Sequence, residues 1–239
     1  MDMTVSVKFR EADNDPVNEN FTYSRALGWR EKFDGYSGPQ NAYEFLPTMQ
    51  KDGEHCERFS YLTPVTDVLA WMMKRVLNQT LAEIMRERIW SKLGAERDAF
   101  WIVGPAAFET SGSGLLTTLR DMARFGQMLV QKGQFNGQQI LPQAVVEDIE
   151  AGADPEAFAR GPGAGPTNRG WSYHHQWWMT HNEYGAYMGI GYGGQLLYIV
   201  PHAQIVIAKM SSYPTPTPAG EEFYSAFAAF PALVRALAS

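Results

Sequence analysis

ERFSYLTPVTDVLAWMMKRVLNQTLAEIMRERIWSKLGAE, residues 57–96, is the stretch from which the rest of the chain can be read. Val65, Val68, Leu69, Met72, Met73, Val76 and Leu77 recur at steps of three and one. That spacing predicts a helix with a single apolar stripe and leaves Asp67, Lys74 and Arg75 off it. Thr63 is placed to act as N-cap, Pro64 fits the first helical position, and Asp67 suits the positive end of the helix dipole. A second helix opens with Thr80-Leu-Ala-Glu83, a capping-box pattern. It is expected to bury Leu81, Ile84, Met85, Ile89 and Leu93, to keep Arg86, Glu87 and Arg88 in solvent, and to stop at Gly94. Tyr61 then lies just outside a helix N-terminus.

The 239 residues are 45% hydrophobic and 19% charged, enough apolar material to bury a full core, with no signature of disorder. A formal charge of −6 and a pI near 5.4 argue against nucleic acid or an anionic membrane surface as partner, since both select basic faces. Cys56 is alone, so there is no disulfide framework, and a lone cysteine reads as a small buried hydrophobe. Neither a charged-then-apolar leader nor a long apolar run is present, so the chain as written is expected in the cytosol.

Outside the helix pair, Val5, Val7 and Phe9 alternate, and the remainder of residues 1–20 reads as polar loop. Tyr23–Trp29 suggests a helical turn, and Asn41–Gln50 a short helix after the turn-forming Asp34–Gln40. Phe100–Val103 suggests a strand. Glu109–Gly114 is a glycine and serine loop, and Thr118-Leu-Arg-Asp121 caps a helix carrying Leu119, Met122, Phe125 and Leu129 inward. Asn136-Gly137 marks a tight turn, Leu141-Pro142 starts a short helix, and residues 151–170 read as a Gly/Pro-rich loop. The period then changes. Trp171–Thr180, Ala186–Tyr192, Gln195–Val200 and Ile205–Ser211 read as strands with short connections, hence an antiparallel meander. After a proline-rich link, Ala219–Ala238 reads as a closing helix with Phe223, Phe227, Phe230 and Leu233 covering the sheet. The fold class is α+β: a mainly helical region over residues 57–150, then an antiparallel sheet and C-terminal helix over residues 171–239.

Chemistry-bearing motifs are few. The Gly-x-Ser-x-Gly elbow is absent around Ser113. Glu54-His55-Cys56-Glu57 and His174, His175 and His181 carry metal-capable groups without metal-site spacing, so no metal and no cofactor is expected. His174 and His175 read as one inward and one outward strand residue. Trp171, Trp177 and Trp178 are candidates for core and cleft wall.

Three patterns, in order, carry more: Tyr61-Leu62-Thr63; the glycine loop followed by Thr118-x-x-Asp121-Met-Ala-Arg-Phe-Gly126; and Gly191-Tyr192-Gly193-Gly194-Gln195 followed by Leu-Leu-Tyr-Ile-Val-Pro201. Together they resemble the serine hydrolases of the β-lactamase and penicillin-binding-protein fold, in the branch that includes 6-aminohexanoate-dimer hydrolase and related esterases. The resemblance covers nearly the whole chain, residues 1–239. It implies a β-lactamase/transpeptidase-like fold and acylation of a serine, with Tyr61 as the catalytic tyrosine. Thr63, Tyr192, Gly193, Gly194 and Gln195 would stand on the substrate and oxyanion side, with the Gln195 N–H as one oxyanion donor. Tyr192 stands where penicillin-recognising relatives carry a cation, which points to a small uncharged ester or amide substrate.

A second departure is larger. No Ser-x-x-Lys occurs in the sequence, and in the family that motif precedes the tyrosine by more residues than are present here. Asp2-Met3-Thr4-Val5 is similar to the family's sequence after the active-serine helix, so the chain reads as a C-terminal portion with the N-terminal part missing. Without serine and lysine, no acyl-enzyme chemistry is expected. A binding remnant without catalysis, or one half of a split hydrolase, are the alternatives. An N-terminal complementing segment or self-association would cover the exposed sheet edge and apolar patch.

Overall fold

The computed structural model describes residues 2–11, 18–213 and 221–238. Part of the expected N-terminal loop, the proline-rich link, the first residues of the closing helix and the side chain of Phe223 lie outside the described residues. The chain divides into two compact units, one of residues 3–85 and 99–116, the other of residues 1–2, 86–98 and 117–239. Among the described residues no helix is long and apolar enough to cross a membrane.

The first unit is mainly helical. Its helices are α1 (Glu19–Ala26), α2 (Ala42–Phe45), α3 (Thr63–Leu77) and α4 (Leu81–Met85). Four two-residue strands complete it: β1 (Phe100–Trp101), β2 (Val103–Gly104), β3 (Phe108–Glu109) and β4 (Leu115–Leu116). β1 pairs with β4 and β2 with β3, so the expected Phe100–Val103 strand is split between two partners. Val5, Val7 and Phe9 yield only one bridge, Val7 to Lys51. The core gathers Phe9, Tyr23, Leu27, Phe45, Leu62 and Phe108. The Thr80 capping box forms as expected: the Glu83 N–H donates to Thr80 Oγ1 at 3.2 Å, and the Thr80 N–H to Glu83 Oε2 at 2.8 Å.

The inward face of α3 is a correction. Pro64, Asp67 and Ala70 are buried, and Trp71, Lys74 and Leu77 half-buried, whereas Leu69, Met72, Met73 and Val76 are 42%, 58%, 41% and 82% exposed. Val65, Val68 and Leu77 of the expected stripe still pack inward, and Asp67 and Lys74 turn inward beside them because both are satisfied there. Lys74 Nζ meets Glu109 Oε2 at 2.8 Å, and the Asp67 carboxylate accepts a set of protein donors. Cys56 is likewise exposed rather than buried.

The second unit is a layered sheet. It begins with a π-helical turn over Arg86–Trp90 and α5 (Ser91–Leu93), which ends at Gly94 as expected. α6 (Leu119–Val130), the β5 (Gln134–Phe135) and β6 (Gln138–Gln139) hairpin, α7 (Gln143–Ala151) and α8 (Pro155–Ala159) follow. The Asn136-Gly137 turn closes that hairpin. α8 corrects the reading of residues 151–170 as loop alone: the Asp154 side chain accepts the Glu156 and Ala157 N–H groups and nucleates it.

Five antiparallel strands follow, β7 (Ser172–His174), β8 (Trp177–Met179), β9 (Tyr187–Ile190), β10 (Leu196–Val200) and β11 (Ile205–Lys209), in the order β11-β10-β9-β8-β7. The run Trp171–Thr180 is therefore two strands, not one. His175 and Gln176 both take positive φ, 46° and 72°, the conformation a two-residue hairpin turn requires.

β10 is buried at every position because both faces of the sheet are covered. Leu197 and Ile199 face Met128, Leu129 and Val130 of α6. Leu196, Tyr198 and Val200 face Phe230 and Val234 of α9 (Glu221–Ala238). Leu233, expected inward, is exposed: the stripe runs Phe227, Phe230, Val234, steps of three and four. Leu119 is also exposed, at the first turn of α6.

Candidate functional site

Tyr61 and Thr63 flank Leu62 at the start of α3. Leu62, not Thr63, occupies the N-cap position, and the Thr63 N–H donates to the Glu11 carboxylate, which supplies the negative charge that this end of the helix favours. The Tyr61 phenol is pushed up to about 12, first by burial and then by the charge of Glu11. Both causes disfavour the phenolate, so near neutrality Tyr61 holds its proton.

Beside this helix start lies the glycine loop. Asp67 Oδ1 accepts from the Ser111 N–H at 2.6 Å, the Ser111 hydroxyl at 2.9 Å and the Gly112 N–H at 3.2 Å, and Oδ2 accepts from the Tyr23 hydroxyl. Burial and the Asp67 carboxylate raise the Tyr23 pKa well above its ordinary value. One residue earlier than the loop's Thr110, Glu109 accepts the free N–H groups of Leu81 at 2.8 Å and Ala82 at 3.0 Å, capping α4 from a distant strand. Burial alone would raise the Glu109 pKa, but Lys74 and these two N–H groups hold it below the usual carboxylate range. Sequence reading missed Tyr23, Asp67 and Glu109 as a framework. The one available signal was the phase of Asp67, which falls on the same helix line as Pro64 and Ala70.

Tyr192, Gly193 and Gly194 form a single 3-10 turn between β9 and β10, followed by Gln195. β9 and β10 are both interior to the described sheet, and the motif is their connection. Tyr192 is 69% exposed. Gly194, at φ +87°, has no room for a side chain: a Cβ there would lie 2.3 Å from the Tyr213 ring. Lys209 Nζ fixes the turn, donating to the Gly194 carbonyl at 3.0 Å, Ser211 Oγ at 2.7 Å and Tyr213 Oη at 2.8 Å. The Gln195 amide clasps Ser211, accepting its N–H at 3.1 Å and donating to its carbonyl at 2.5 Å.

Trp171, Trp177 and Trp178 do not form one cleft wall. Alternation along β8 sends Trp177 toward Tyr187 on the α6 face and Trp178 toward Tyr173 and Phe158 on the other. Trp171 packs edge-on against Phe227 of α9. Ser172 and His181 sit 2.7 Å apart, within reach for a nucleophile and base, but Ser172 is fully buried and accepts the Ala153 N–H, so the pair is structural.

Residues 2–229 match the Beta-lactamase family. The chain belongs to that family. It is 39% identical over 216 residues to the 6-aminohexanoate-dimer hydrolase of Paenarthrobacter ureafaciens, an alignment covering 90% of this chain and 54% of that protein. The chain therefore spans about half the length of that curated relative. Among solved structures, a candidate 6-aminohexanoate-dimer hydrolase from Bacillus anthracis superposes with a TM-score of 0.85 at 36% identity, over 98% of this chain and 59% of that one. A penicillin-binding-protein homologue from Caulobacter crescentus superposes at 0.60 with 16% identity, over 93% and 74%, a likeness of fold alone. The β-lactamase/transpeptidase-like α+β fold implied by the three motifs is thus the fold the family has.

Proposed function

We propose that this chain is the C-terminal part of a serine hydrolase that cleaves small carboxylic esters or amides through an acyl-serine intermediate, and that the 239 residues alone do not turn over. The 39% identity to a 6-aminohexanoate-dimer hydrolase supports the hydrolase reading and favours an amide among substrates. In that reading Tyr61 handles the proton that leaves the serine, and Thr63 and Tyr192–Gln195 stand on the substrate and oxyanion side.

The observation that carries the inactivity is that no Ser-x-x-Lys occurs in the 239 residues, and the Tyr61 phenol, pushed up to about 12, agrees with it. At pH 7 such a group is ionised in roughly one molecule in 10⁵, so a cation beside it is required before it can accept a proton. This sequence supplies no Ser-x-x-Lys lysine for that purpose. The partner we propose is an N-terminal segment of the kind that makes up the rest of the relative's length. The exposed Leu69, Met72, Met73 and Val76 face of α3 supports it, because an apolar helix face of this extent is ordinarily covered.

The test is reaction with a fluorophosphonate probe and a chromogenic acetate ester, for the chain alone and for the chain co-expressed with the N-terminal part of the Paenarthrobacter relative. The chain alone should stay unlabelled. The complemented form should label and turn over, with a loss of about 10²-fold or more in Tyr61→Phe. Stoichiometric labelling and Tyr61-dependent turnover by the isolated chain would overturn the inactivity. A stable complex without Tyr61-dependent turnover would favour a binding remnant, and self-association in place of complex formation would overturn the choice of partner.

A further inference from the structure

In the sheet unit, three side chains from two elements and a turn converge apart from the candidate site described above. Asp148 lies on α7, His174 ends β7, and His175 opens the two-residue turn to β8. His175 Nε2 is 2.6 Å and His174 Nε2 3.6 Å from the same carboxylate oxygen, Asp148 Oδ2. The two imidazole rings stand 3.9 Å apart, and one ligand-capable atom from each of the three residues lies within 4.8 Å of the others.

The protonation pattern is what makes the cluster unusual. His174 Nδ1 lies 2.6 Å from Asp2 Oδ1, and a carboxylate only accepts, so the imidazole proton sits on Nδ1. In the neutral ring this leaves a lone pair on His174 Nε2, and that atom is buried without a hydrogen-bond partner. A ring nitrogen of neutral His174 then faces a carboxylate oxygen at 3.6 Å with no hydrogen bond between them. Two electron-pair donors held in this way repel unless a cation lies between them. A carboxylate on the far nitrogen of a histidine is also the arrangement that orients metal-ligating imidazoles and makes them better donors.

We propose that His174, His175 and Asp148 bind a divalent transition-metal ion of the zinc type, with Asp2 holding His174 in the ligating tautomer. Two imidazole nitrogens and one carboxylate oxygen suit zinc, cobalt or nickel, whereas calcium and magnesium favour all-oxygen sites. Ligand atoms around a tetrahedral zinc lie about 3.3 Å apart, so the His174 to Asp148 spacing is already close and the His175 to Asp148 contact needs to open by under ~1 Å. Binding moves the His175 proton from Nε2 to Nδ1 and leaves a fourth position for water. Spacing along the chain did not reveal the site because Asp148 precedes His175 by 27 residues.

The experiment uses tag-free chain stripped with a chelator, titrated with Zn²⁺ by calorimetry and with Co²⁺ by visible absorption. One equivalent should bind, with a cobalt band of tetrahedral intensity. His174→Gln/His175→Gln should weaken binding at least ~100-fold. Asp2→Asn should weaken it about 10–100-fold with unchanged stoichiometry. Cys56→Ser should leave it as it was. Absence of saturable one-to-one binding, or binding undiminished in the double variant, would overturn the proposal. Because the double variant could disturb the β7–β8 turn, Asp148→Asn on the exposed side of α7 provides an independent arm: full affinity in that folded variant, checked by circular dichroism, would overturn it as well.

Discussion

Removing the Asp67 carboxylate would leave the Ser111 N–H and hydroxyl, the Gly112 N–H and the Tyr23 hydroxyl without their acceptor inside the helical unit. A buried donor left unsatisfied costs about 1–3 kcal/mol, and breaking a buried charged network about 3–5 kcal/mol. Asp67→Ala is therefore expected to lose about 3–5 kcal/mol in urea denaturation, and Asp67→Asn less, since the amide oxygen still accepts. A loss under ~1 kcal/mol for Asp67→Ala would mean the loop is held by something else. Residues whose partners are local were legible in the sequence. Thr80 with Glu83 and Thr118 with Asp121 satisfy each other within one helical turn, and spacing alone reveals them. Asp67 was not legible in this way, because Ser111 is 44 residues away and a helix pattern records only its own period.

At the scale of elements, α6 approaches the sheet at Gly126. A Cβ there would meet Val206, Ile199 and Leu197 side-chain atoms at 2.6, 2.9 and 3.1 Å. Gly126→Val should overpack this contact and cost about 1–3 kcal/mol, read as a fall in the thermal midpoint, with α-helical content retained in circular dichroism. An unchanged midpoint would show that α6 can lift off the sheet without cost. The run Gln195–Val200 was legible as a strand, and its continuous apolar character reflects the cover on both faces, which require the same residue type. Among the element readings that failed, two show the physical reason most directly. The Trp171–Thr180 run hid a turn built from His175 and Gln176, which carry no glycine or asparagine signal. Leu69, Met72, Met73 and Val76 of the α3 stripe pointed outward, while Val65, Val68 and Leu77 packed inward, because ion pairing and hydrogen bonding satisfied Asp67 and Lys74 on the buried side.

For the whole molecule, the acid limb of stability follows from groups whose pKa falls on folding. Burial lowers His181, and this preference for the neutral imidazole contributes stability that is present above the unfolded value near 6.5 and is lost as pH falls through the folded one. Asp121 is lowered as well: burial opposes it, but the Glu96 N–H, the Thr118 hydroxyl and Arg124 outweigh burial. Asp121 and Glu109 contribute stability present above about pH 4 and lost below it. Denaturation midpoints should therefore decline in two steps on acidification, one beginning near pH 6.5 and removed by His181→Asn, the other beginning near pH 4. Constancy from pH 7 to 5 would contradict the first step. Buried phenols act at the opposite end: Tyr61 at about 12 and the raised Tyr23 and Tyr198 oppose unfolding below pH 10, and that resistance fades as they ionise. At this scale the order of three motifs identified the family. The chain passes between the two units four times, a division that no shift in composition announced.

The outward face of α3 carries Met72 and Met73, both exposed, while Met3, Met128, Met179 and Met188 are buried. A thioether in solvent oxidises to a polar sulfoxide far more readily than one in a core, and the change is reversed by sulfoxide reductases. Dilute peroxide should therefore convert this face from apolar to polar while leaving both folded cores intact. Complementation by an N-terminal segment should fall after treatment, recover on enzymatic reduction, and resist peroxide in Met72→Leu/Met73→Leu. The proposed docking face would then also report on oxidative stress.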